Sequence, residues 1–149
     1  MAALRNSLWM IAALAALPAP AAAQDMCAAL NRIAAAAREP EPFASLQGPP
    51  SSLVPGYDYC RVEPGNGPRV ICYQQMAPKS LIAETVGEQV MDCLNAVAVT
   101  EALVLGDHEY RTASLYITVS SHCDERCHVG RIASLTIQRR REDAAPPAR

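Results

Sequence analysis

Apolar residues recur along this chain with two different periods, and the change from one to the other marks out its elements. Met26, Leu30, Ile33, Ala34 and Ala37 fall at helical spacing, with Asn31, Arg32 and Arg38 off that face. Asp25 stands where an N-cap carboxylate would accept hydrogen bonds from first-turn amides, so a helix is expected from there to about Arg38. Glu39-Pro40-Glu41-Pro42 stops it, because proline removes a donor and disfavours helical geometry in the residue before it. The turn after it, Phe43 to Leu46, is expected to tuck the sole phenylalanine into the core. Ile82, Val86, Val90, Cys93 and Val97 form a second helical stripe, with Pro78 suited to its first turn. Glu84, Glu88 and Asp92 line another face of that helix and read as a solvated row, since like charges four residues apart repel and need water.

Elsewhere the period is two. Leu115, Ile117 and Val119 alternate with Tyr116, Thr118 and Ser120, and Ala133, Leu135 and Ile137 alternate with Ser134, Thr136 and Gln138, which predicts two antiparallel strands joined by residues 122–130. Tyr57–Val62 and Arg69–Tyr73 flank Glu63-Pro64-Gly65-Asn66-Gly67-Pro68, where Asn-Gly is a strong hairpin signal. A hairpin pivoting on Asn66 sets Cys60 opposite Cys72, at a separation a disulfide can bridge. Before it, the proline- and glycine-rich stretch 48–56 reads as an extended strap. Val97–Leu105 fits either a strand, through positions 97, 99, 103 and 105, or a continuation of the second helix, and Gly106-Asp107 ends it. These elements predict an α+β fold: a two-layer sandwich of two helices packed on one side of a mainly antiparallel sheet of four to five strands, stapled by disulfides.

The first 23 residues stand apart from this pattern. Arg5, the apolar run Leu8–Leu17 and the small residues Ala21-Ala22-Ala23 read as a signal peptide cleaved after Ala23, and the run is short of the roughly 20 residues a membrane span needs. Cys27 lacks the small residues that precede a lipid-modified cysteine, so no membrane anchor is expected after cleavage. The expected organisation is a signal peptide at 1–23, one α+β domain at 24–138 and a disordered tail at 139–149. Arg5 leaves with the signal, so 12 basic side chains face 15 acidic ones in the mature chain, a formal charge of −3. That balance argues against nucleic acid as a partner, which needs a clustered positive surface. The three arginines Arg139-Arg140-Arg141, followed by Glu142 and Asp143, read as a solvated run. All six cysteines lie beyond the signal, and an even number in an exported chain favours three disulfides.

Candidate chemistry is concentrated in His122-Cys123-Asp124-Glu125-Arg126-Cys127-His128. The structural reading makes Cys123–Cys127 a disulfide that closes the loop between two strands, beside Cys60–Cys72 and Cys27–Cys93. The alternative leaves Cys123 and Cys127 reduced, binding zinc or copper with His122 or His128 and a group from elsewhere. All four cannot meet at one ion, because neighbouring side chains diverge. The stretch resembles the haem-attachment pattern of c-type cytochromes and the thioredoxin-type redox pair, but both have two residues between the cysteines and this chain has three. No Gly-x-Ser-x-Gly, His-Glu-x-x-His or phosphate-cradling glycine loop is present, and His108 after Gly106-Asp107 reads as a surface residue. The expectation is therefore a non-enzymatic protein without a cofactor. It is expected to be periplasmic or secreted, with a binding or structural role in the cell envelope and another envelope or exported protein as its partner.

Overall fold

The computed structural model describes residues 21–65, 67–75, 77, 82–100, 107–123 and 131–140. Helix α1 spans Ala21–Ala36 and a short 3-10 turn follows at Ala44–Leu46. Strands β1 (Tyr59–Glu63) and β2 (Arg69–Gln74) form a hairpin, and α2 spans Ala83–Leu94. Strands β3 (Val97–Thr100), β4 (Asp107–Arg111), β5 (Leu115–Cys123) and β6 (Arg131–Arg139) complete the chain. All six strands join one antiparallel sheet in the order β1-β2-β6-β5-β4-β3.

The sheet has six strands, not four to five, and the unforeseen one is β4. Its sequence, Asp-His-Glu-Tyr-Arg, carries one apolar residue and so no alternation of hydrophobicity. What makes it a strand is company: β3 and β5 flank it on both sides, while Tyr110 is buried and His108 half-buried on the helix side. His108 is thus a strand residue whose Nε2 lies 3.8 Å from Glu84 of α2. The alternatives for Val97–Leu105 resolve in part: Val97–Thr100 is strand, so Val97 leaves the helical stripe and is 52% exposed on the sheet edge. Residues 101–106 lie outside the described residues, as do the hairpin residue Asn66 and Pro78.

Helix α1 already includes Ala21, so Asp25 lies inside it and is not its N-cap; the alanines ahead of it are the best helix formers. It ends at Ala36, and the Arg38 amide bonds the Ala35 carbonyl in a closing turn. The chain then reverses so that the Phe43 amide donates to the Ala36 carbonyl at 2.8 Å, and the Phe43 side chain is fully buried. Phe43 takes φ 64°, the left-handed region that a bulky side chain disfavours, so burial of the ring holds a costly backbone in place.

Both helices contribute to one core. Leu30 and Ile33 of α1, Val86 and Val90 of α2, Val54 of the strap and Val70, Leu115, Ile117, Val119, Leu135 and Ile137 of the sheet are all sealed from solvent. Each such side chain stabilises the fold by about 1.5–3 kcal/mol through area removed from water. The strap is tied down by a two-way bridge between Ser51 and Cys60, which also covers part of the β1 edge.

Helix α2 approaches β4 closely because position 87 is glycine: a Cβ there would overlap the Tyr110 hydroxyl and ring. Gly87→Ala is therefore expected to destabilise by about 1–3 kcal/mol despite alanine's higher helix propensity. A double-mutant cycle with Tyr110→Ala checks the cause. Removing the ring should erase most of the penalty, and additive effects would refute it.

Candidate functional site

The two long hairpin registers determine what the sheet presents on each face. In β5 and β6, Leu115, Ile117, Val119, Ala133, Leu135 and Ile137 point to the helices, so Tyr116, Thr118, Ser120, Ser134, Thr136 and Gln138 point away. The Ala83 amide donates to Ser121 Oγ at 3.2 Å, which places α2 on the first of these faces. No described helix covers the second.

Three rungs of paired residues cross this open face from β1 to β4. One is Arg61, Ile71, Thr136, Thr118 and Glu109; the next is Tyr59, Tyr73, Ser134, Ser120 and Asp107; the third is Glu63, Arg69, Gln138, Tyr116 and Arg111. Hydroxyls occupy the middle and charges the margins. Ile71 is buried although it lies outside the core cluster. The Arg61 guanidinium stands 5.7 Å from the centre of the Tyr73 ring, and the Tyr59 and Tyr73 rings are 5.6 Å apart.

On the β1–β2 side two guanidiniums share one carboxylate. Glu63 accepts from Arg69 Nε and Nη2 at 3.0 and 2.7 Å and from Arg61 Nη2 at 2.6 Å. Those bonds, from Arg69 first and then Arg61, hold its carboxyl below the usual carboxylate range. On the other side the Tyr116 hydroxyl bonds Glu109. That bond, reinforced by partial burial, pushes the phenol up to about 12 and keeps it neutral. At the end of the face, Gly67, Tyr116, Gln138, Arg139 and Arg140 line a cleft of about 420 Å³.

The expected site residues fall in three places. Cys60 and Cys72 pair across β1 and β2 and are joined by a disulfide. Cys27 of α1 is joined to Cys93 of α2 by another, with Cα atoms 5.0 Å apart, so the two helices are linked covalently as well as through the core. His122 lies near the end of β5 with its Nε2 3.1 Å from Asp107 Oδ1, an oxygen that is shielded from solvent and makes no aligned hydrogen bond. Cys127 and His128 lie outside the described residues, and of Cys123 only the backbone, at the end of β5, is described. The structure therefore does not bear on a Cys123–Cys127 bond or on a metal at that loop. Among the described residues no group of His, Cys, Asp and Glu is gathered as a metal site would require.

The open face and its terminal cleft were missed in the sequence because each contributing residue is ordinary alone. A signal was available: pairing the two strands 115–119 and 133–137 in register stacks Thr118 on Thr136 and Ser120 on Ser134. The arginines at 139 and 140 read as tail in the sequence because the alternation of apolar and polar residues stops at Gln138. In the structure Arg139 pairs with Leu115 and the Arg140 amide donates to the Ser114 carbonyl at 2.8 Å.

Comparison with protein-family models, curated proteins and solved structures finds no match. What fold and covalent links define is a small disulfide-stabilised α+β protein, in which no described helix is long and apolar enough to cross a membrane.

Proposed function

We propose that the protein is exported, loses residues 1–23, and serves in the cell envelope as a disulfide-stabilised binding or structural component that meets a protein partner through the open face of its sheet. The observation that carries this reading is that face itself: five paired strands present tyrosines, hydroxyls and flanking charges with no described helix over them. Tyrosine and arginine are the residue types that anchor binding surfaces, and hydroxyls between them supply adaptable hydrogen bonds. Export is supported by the amino-terminal apolar run together with two disulfides, bonds that form and persist in oxidising compartments. No structural observation favours the alternative of zinc or copper at Cys123, Cys127, His122 or His128, which rests on sequence spacing.

In a Gram-negative host, the full chain carrying a photo-crosslinking residue at Tyr59, or at Glu88 on the solvent side of α2, tests this reading. The processed protein is expected in the periplasm, starting at Gln24 and lacking reactive thiols. Tyr59 should give a discrete adduct and Glu88 none. Retention of the unprocessed chain in the cytoplasm would refute export, and adducts from Glu88 alone would refute the face.

A further inference from the structure

The two disulfides of the described residues sit in different surroundings, and the difference has a chemical consequence. Cys60 and Cys72 are 1% and 0% exposed, so a reagent reaches that bond only when the fold around it opens. Cys27 and Cys93 are both half-buried where α1 meets α2. A cleft of about 230 Å³ runs along the same seam, walled on one side by Asn31, Ala34 and Arg38 and on the other by Cys93, Leu94 and Asn95. Cys27, Asn31, Ala34 and Arg38 follow one another at spacings of four, three and four, one row along α1 and its closing turn. The disulfide therefore stands at one end of the cleft.

Access decides which disulfide exchanges with a thiol. The attacking thiolate must reach a sulfur, so a sealed bond waits for unfolding while a bond beside a cleft reacts in the folded state. The walls contributed by Asn31, Arg38 and Asn95 are polar or cationic, which suits an ionised attacker. The reduced state also gains a contact. Gln89 Oε1 is shielded from solvent and makes no hydrogen bond, and Gln89 precedes Cys93 on α2 by four residues, the spacing at which helix side chains meet. Reduction turns Cys93 into an S–H donor, which a disulfide is not. Nor does α1 rely on the bond alone, because Met26, Ala29, Leu30 and Ile33 hold it to the core.

We propose that Cys27–Cys93 is an exchangeable disulfide, opened in the folded protein by a dithiol reductant and closed by the reverse exchange, while Cys60–Cys72 is a permanent link. A thiolate of the dithiol attacks one sulfur of the pair, the S–S bond breaks, and the other cysteine leaves as a thiolate that takes up a proton. The second thiol of the reductant then attacks the mixed disulfide and releases the first cysteine. Two electrons pass to the protein and the reductant ends as a disulfide. Neither export nor a partner on the open face enters this step.

Dithiothreitol added to the oxidised chain in non-denaturing buffer, with iodoacetamide quenching and peptide mapping at successive times, decides it. Cys27 and Cys93 are expected to become alkylated together, at least about tenfold faster than Cys60 and Cys72. Urea below the unfolding transition should leave the Cys27–Cys93 rate nearly unchanged and raise the Cys60–Cys72 rate, because only the second needs the fold to open. The protein reduced at Cys27–Cys93 should keep its circular dichroism spectrum, and oxidised glutathione should restore the bond. Mapping keeps the peptides of Cys123 and Cys127 apart from this comparison. The proposal is overturned if the two bonds open at the same rate, if Cys60–Cys72 opens first, or if opening of Cys27–Cys93 coincides with loss of the native spectrum.

Discussion

Replacing Phe43 by alanine is expected to lower the unfolding free energy by about 3–5 kcal/mol, measured by urea denaturation of the oxidised protein. The ring is fully sealed where the chain turns back from α1 towards the strap, so its loss removes buried apolar area and leaves a cavity. A second effect points the same way. Alanine keeps a side-chain Cβ at φ 64° and so retains the backbone penalty, while losing the burial that offset it. Phe43→Gly separates the two, because glycine visits that region freely, and it should be no less stable than Phe43→Ala even though it has no Cβ to pack. A domain of this size has only about 5–15 kcal/mol to lose. A change below about 1 kcal/mol would show that the ring does not hold the turn.

The next largest effect concerns the covalent links, and it is predicted as a difference. Cys27 and Cys93 are 66 residues apart, Cys60 and Cys72 only 12. If a disulfide stabilises chiefly by restricting the unfolded chain, the longer loop is worth about 4 kcal/mol and the shorter about 3. Removing Cys27–Cys93 as a pair of alanines should therefore cost more than removing Cys60–Cys72. Without their bond the two helices keep only their packing in the core, whereas β1 and β2 remain joined by their ladder and by the Ser51 bridge. The opposite ranking in denaturant midpoints would mean that native-state packing around Cys60 and Cys72, both fully buried, outweighs loop entropy.

How legible this fold was depends on the element. Helix α2 and strands β5 and β6 announce themselves because burial on one face writes a period of 3.6 or 2 directly into the residues. The β1–β2 register followed from symmetry about Asn66, and every observed pair from Tyr59–Tyr73 to Glu63–Arg69 obeys it. Strand β4 was illegible for the converse reason: its order comes from neighbours on both sides and one ring against Gly87, not from a pattern of its own. The start of α1 is ambiguous in the sequence because Asp25 satisfies the rule for a cap while the alanines before it are equally at home in a helix. The candidate site was the least readable part. Its residues come from three separate stretches, Gly67, Tyr116 and residues 138–140, and only the order of the strands brings them together.

That order has a consequence for how the molecule is made. Along the sheet β2 lies next to β6, the one pair of neighbouring strands far apart in the chain. During synthesis the amino-terminal hairpin therefore waits with one side of β2 unsatisfied until the final strand emerges, and a lone two-stranded hairpin is marginal in water. Cys27, by contrast, can meet Cys93 before β4, β5 or β6 exist. The helical layer can thus be locked while the sheet beneath it is still in two pieces, and the last strand to be born is the one that joins them.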